Sequence, residues 1–112
     1  MKKTDKKIDK AIVRGLTDVC DIAQQKSSGF VWLTHLVNYN NFPGSLTVIC
    51  VYDTVDNMVK SQKSDIRELI INKLAAIDIK FTDPLKQISF DCEELCDLEN
   101  DGNWKRRLSS VG

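Results

Sequence analysis

Residues Leu46–Tyr52, LTVICVY, hold six apolar side chains out of seven and no charge. β-Branched and aromatic residues dominate, which favours extended backbone. Apolar residues follow one another instead of alternating with polar ones, as in a strand covered on both faces. Asp53-Thr54, a pair suited to capping a helix, closes the run. A chain that must shelter one strand from water on two sides is driven towards layered α and β structure.

The rest of the chain supplies such layers. Ile8, Ile12, Leu16, Val19, Cys20 and Ala23 recur at three- and four-residue spacing, predicting a helix over 4–26. Gly15 inside it costs about 1 kcal/mol against alanine, which close packing against the sheet would explain. Ser27-Ser28-Gly29 ends the helix, and Phe30–Val37 reads as a first strand. The turn-rich loop Asn38–Gly44 then leads into Leu46–Tyr52, so an antiparallel hairpin is the economical pairing. A second helical region spans 54–77, with a polar break at Ser61–Ser64. Ile77, Ile79 and Phe81 alternate as a short third strand, and Leu85–Phe90 reads as a fourth. Asp91 and Glu94 have capping-box spacing ahead of a last short helix over 92–98.

The resulting order is α-β-β-α-β-β-(α). It predicts an α+β fold: a four-stranded mixed sheet packed with two long helices, in one domain over residues 1–103. A short basic tail over 104–112 follows. The crossover from the second strand to the third is expected to be right-handed. With both helices on one side, the hairpin's other face needs separate cover. If residues of like parity pair across the hairpin, Val31, Leu33, Val37, Ile49 and Val51 form one apolar patch. Two covers are open: the first helix crossing over, or a second copy of the chain making a homodimer.

Charge is balanced overall, with sixteen basic and sixteen acidic residues, but it is unevenly spread. Residues 1–26 carry a net +3, residues 27–52 carry no Lys, Arg, Asp or Glu, residues 53–103 carry −6, and the last nine carry +3. No apolar run approaches the roughly 20 residues needed to cross a bilayer, so no membrane partner is expected. The lysine-rich start is not followed by the apolar segment of a secretory signal. The four cysteines therefore read as reduced thiols and the protein as cytoplasmic.

The run Gly29–Asp53, GFVWLTHLVNYNNFPGSLTVICVYD, the start Asp-Lys-Lys-Ile-Asp-Lys and the later Gly102-Asn103-Trp104 carry a resemblance. They are similar to a family of small uncharacterised bacterial proteins, some of which bear the description Fis-like regulator. That description implies two C-terminal helices joined by a tight turn, one entering the major groove of DNA. Here the C-terminus reads as strand, acidic helix and short tail, so no site residue is carried over.

Candidate chemistry is sparse. Cys92 and Cys96 are four apart, but a structural zinc site needs four ligands, and the bland reading is small apolar residues. His35 with Cys50 and Asp53 would make a nucleophile and base, yet like-parity pairing puts His35 and Cys50 on opposite faces. Asp53, Asp56, Asp91, Glu93 and Glu94 sit at strand ends or helix starts; grouped acids can hold magnesium, but capping explains Asp53 and Asp91 without it. No cofactor is expected. Two basic ends could touch phosphate: Lys3, Lys7, Lys10 and Arg14, and Trp104, Lys105, Arg106 and Arg107. The leading expectation is a non-catalytic interaction protein that self-associates through the hairpin. A nucleic-acid-binding protein using both basic ends is second, and a small enzyme with an acidic or Cys/His site third.

Overall fold

The computed structural model describes residues 2–109. Helix α1 runs over Lys3–Lys26, and its apolar stripe buries Ile12, Leu16, Val19 and Ala23. Strands β1 (Phe30–Leu36) and β2 (Thr47–Tyr52) form the hairpin, with a short 3₁₀ turn at Tyr39–Asn41 between them. Helices α2 (Val55–Lys60) and α3 (Lys63–Ala75) flank the polar break, which falls at Ser61-Gln62. A helical turn, α4 (Pro84–Gln87), leads into β3 (Ile88–Cys92). Helices α5 (Glu93–Asn100) and α6 (Trp104–Leu108) close the described chain.

The fold is mixed α and β, but the sheet has three strands in the order β1-β2-β3, not four. Strands β1 and β2 are antiparallel, β2 and β3 parallel. The expected strand at 77–81 is instead the turn that stops α3, whose last residue is Ala75, and the chain beyond it. Ile79 N donates to Leu74 O at 2.9 Å and Asp78 stands at φ 62°, a left-handed helix stop of the Schellman kind. The apolar residue that such a stop packs inward is Ile79, 6% exposed, while Ile77 points out. Its spacing mimicked strand alternation, and Asp in place of the usual Gly hid the stop.

The hairpin register differs by one residue from like parity. Asn38 N donates to Ser45 Oγ at 2.9 Å, and Ser45 Oγ donates to Asn38 O at 2.7 Å, so the loop closes with residue 38 opposite 45. Leu33 then faces Cys50, Thr34 faces Ile49 and His35 faces Val48, and a bulge lies between Phe30 and Trp32. Opposed residues of an antiparallel pair share a face. Leu33, Val37, Leu46, Val48 and Cys50 therefore look towards α1 and α3 and join the main core.

The other face shows Trp32, Thr34, Ile49 and Val51, and it is covered by the chain's own C-terminus. Ile49 is 2% exposed, Val51 0% and Cys96 of α5 0%. Trp104 of α6 meets Trp32 edge to face, with ring centroids 4.9 Å apart. Residues 104–108 are thus a packed helix and not a tail. The molecule has three layers, with α1 and α3 on one side of the sheet and α5 and α6 on the other.

Candidate functional site

The turn Ser27–Gly29 brings the end of α1 beside the carboxyl end of β2. Asp53 N donates to Gly29 O at 2.9 Å, and Ser27 Oγ lies 2.8 Å from Tyr52 Oη. Gly29 has φ +81°, and a Cβ there would stand 2.5 Å from both Asp53 Oδ1 and Asn57 Nδ2. Only glycine lets the turn close this tightly. Thr54 caps α2 by accepting from Asn57 N at 3.1 Å, and Asp53 accepts from Thr54 N and Asn57 Nδ2. Those bonds hold the Asp53 carboxyl below its usual range, the Asn57 amide most of all. Glu94 reaches across from α5 to accept from Val55 N at 2.9 Å.

Between this turn and the α2–α3 elbow lies a crevice of about 670 Å³. That volume suits a drug-sized molecule or a few residues of peptide. Its floor is apolar, formed by Ile22, Ala23, Ile66 and Leu69. Its rim carries uncharged hydrogen-bonding groups, and Ser28, Gln62 and Asn72 make no side-chain hydrogen bond among the described residues. The rim's charges cancel, with Lys26 and Lys60 against Asp65 and Glu68. Lys60 is already paired with Asp56 at 2.8 Å. The crevice lies between α1 with its C-terminal turn, α2 and α3, and no residue of the sheet lines it. Nothing in the sequence pointed to it, because its walls come from three helices that meet only in the fold.

The residues expected to act elsewhere are placed as follows. Val31, Leu33, Val37, Ile49 and Val51 do not make one dimer face: the register sends Leu33 and Val37 to the main core and buries Ile49 and Val51 on the opposite side. His35 and Cys50 do share a face, but His35 Nε2 is 3.0 Å from Asp9 Oδ1. Tyr39 Oη donates to the same oxygen at 2.7 Å. Cys50 is fully buried, and desolvation pushes its thiol up to about 12, so it makes no thiolate near neutral pH. Cys92 and Cys96 are both 0% exposed, on opposite sides of the sheet, and all four cysteines are free.

Of the basic ends, Lys3, Lys7, Lys10 and Arg14 are exposed on α1, and Lys105 and Arg106 are exposed on α6. Arg107 is taken up internally. Its Nε and Nη2 grip Asp91 at 2.6 and 2.9 Å, and Nη1 reaches Glu99 at 2.8 Å. The pair with Asp91 raises the guanidinium's affinity for its proton further. The C-terminus does hold two helices joined by a tight turn, as a Fis-like reading requires. However, α6 has five residues and turns Trp104 and Arg107 inward, which leaves no recognition face.

Fold and crevice together define a small three-layer α+β domain with a ligand-sized cleft between helices α1, α2 and α3. No family model, curated protein or solved structure matches the chain. No described helix is long and apolar enough to cross a membrane.

Proposed function

We propose that this chain is a non-catalytic interaction protein that holds a short peptide segment of a partner in the crevice between α1, α2 and α3. The observation that carries the reading is the crevice's chemistry: an apolar floor under a rim of amides and hydroxyls, among which two lysines and two carboxylates sum to zero formal charge. Uncharged donors and acceptors pair with peptide N–H and C=O groups without the cost of desolvating an ion. An apolar side chain of the partner would anchor on Ile22, Ile66 and Leu69. Self-association through the hairpin loses its basis, because neither hairpin face is free. The four free cysteines support a reducing compartment, the cytoplasm.

Selection from a displayed library of random peptides tests the reading. Peptides with an apolar anchor are expected to be enriched and to bind in the micromolar range. Asn72→Arg on the exposed rim and Leu69→Lys on the floor are each expected to weaken binding at least about tenfold, on the scale of an interface hot spot. Selected peptides that bind both variants as well as the wild type, or a library that yields none, overturn it.

A further inference from the structure

Lys3, Lys7, Lys10 and Arg14 follow one another at steps of four, three and four, so they fall on one line along α1. All four are exposed, and none makes an ion pair or side-chain hydrogen bond among the described residues. Their line lies opposite the buried stripe Ile12, Leu16, Val19 and Ala23. The stretch spans about 16 Å of helix axis. One strand of duplex DNA sets about five phosphates along that distance.

The local field is stronger than the formal count. Lys2 and Lys6 add to it, and the N-terminal pole of α1 is itself positive. Of the acids on α1, Asp9 is turned away from the line towards His35 and Tyr39, while Asp18, one turn beyond Arg14 and 4.0 Å from Lys73, and Asp21 bound the basic line at its C-terminal end. Cations at a helix N-terminus work against the dipole and lower stability. The apolar side of α1 is sealed in the core, so the helix has nothing to insert into a bilayer.

We propose that this face of α1 binds the sugar-phosphate backbone of a nucleic acid, without reading its bases. The C-terminal basic residues take no part. Trp104 and Arg107 are committed to the fold, and α6 lies on the far side of the sheet beside the acidic α5. The site is separate from the peptide crevice, so either proposal can fail alone.

Fluorescence anisotropy with a labelled duplex DNA of about 20 base pairs, and with single-stranded RNA of similar length, tests it across a salt series. The wild type is expected to bind both with a steep salt dependence and little sequence preference. The variant K3Q/K7Q/K10Q/R14Q is expected to bind at least about tenfold more weakly, with a log–log salt slope shallower by about three. K105Q/R106Q is expected to stay within about twofold of wild type. The fourfold variant should melt no lower than wild type, since it relieves repulsion at the helix pole, so a loss of binding is not a loss of fold. The proposal is overturned if wild type shows no salt-dependent binding or the fourfold variant binds as well as wild type. It is also overturned if binding follows base sequence, or if vesicles of phosphatidylserine outcompete nucleic acid for this face.

Discussion

Arg107 ties the C-terminal layer together, its Nε and Nη2 holding Asp91 and its Nη1 holding Glu99. Its planar fork meets both oxygens of Asp91, and the two side chains are only 16% and 18% exposed. Breaking such a pair strands a desolvated carboxylate. Arg107→Ala is expected to cost about 3 kcal/mol in urea unfolding, and Arg107→Lys roughly half of that, because lysine keeps the charge but not the fork. A loss below about 1 kcal/mol for Arg107→Ala would show the pair to be ornamental. Asp9 gives a second prediction, in pH. Hydrogen bonds from His35 and Tyr39 hold its carboxyl below the ordinary 3.8. A folded value below the unfolded one stabilises at pH above the unfolded value, and the gain is lost as pH falls through the folded one. The stability contributed by the Asp9 carboxylate should therefore be full above about pH 5 and should shrink relative to Asp9→Asn as pH falls through and below the ordinary 3.8. A gap that does not narrow at all as pH falls below the ordinary 3.8 would assign the difference to packing. Neither partner set was legible in the sequence, since Asp9 meets Tyr39, and Asp91 meets Arg107, only when separate elements close.

At the level of elements, the long periodic signals and the capped short helix at 92–98 survived, and the brief alternation at 77–81 did not. The stripe of α1 and the apolar run of β2 have enough residues to fix type and extent, and both lie within a residue or two of the pattern. The break at 61–62 was also visible, as a polar gap in an apolar stripe. Three alternating residues at 77–81 were too few to separate a strand from a helix stop. The hairpin register depended on the Asn38–Ser45 closure, a local hydrogen-bond pattern with no periodicity to betray it. Two glycines make the contrast testable. At Gly15 an added Cβ would sit 3.5 Å from Leu74 Cδ2, an ordinary contact between α1 and α3. Gly15→Ala should gain helix propensity without a clash and raise stability by about 0.5–1 kcal/mol. At Gly29 the left-handed backbone and the 2.5 Å approach to Asp53 and Asn57 forbid a side chain. Gly29→Ala should lose about 2 kcal/mol or more, and it should loosen the crevice wall it supports. Thermal melts of the two variants moving in the same direction would contradict this account.

For the whole molecule, the governing question is how a charge-free hairpin that is apolar on both sides stays out of water. The first helix, with α3, covers one face. Helices α5 and α6 cover the other, through contacts that include the Trp32–Trp104 pair, Cys96 over the sheet, and Arg107 on Asp91. Trp32 and Trp104 are each partly buried, so each contributes only a part of the about 4–6 kcal/mol that taking about 150–250 Å² of a whole Trp out of water is worth. A domain of this size has about 5–15 kcal/mol of net stability in all. The C-terminal layer is therefore part of the fold's minimum and not an appendage, and it makes a partner copy unnecessary. Sedimentation is expected to show the full chain as a monomer whose mass does not change over micromolar concentrations. A chain ended after Gly102 keeps α5 but bares Trp32 and the rim above Ile49 and Val51, a patch of the kind that drives association. That shortened chain is expected to bind an apolar dye, to self-associate as concentration rises, and to melt well below the full chain. Trp104→Ala should show the same trend, at a cost of about 3 kcal/mol. If the shortened chain instead sediments as a monomer with an unchanged melting temperature, the second face is covered by something other than α6, and the three-layer account fails at its outer layer.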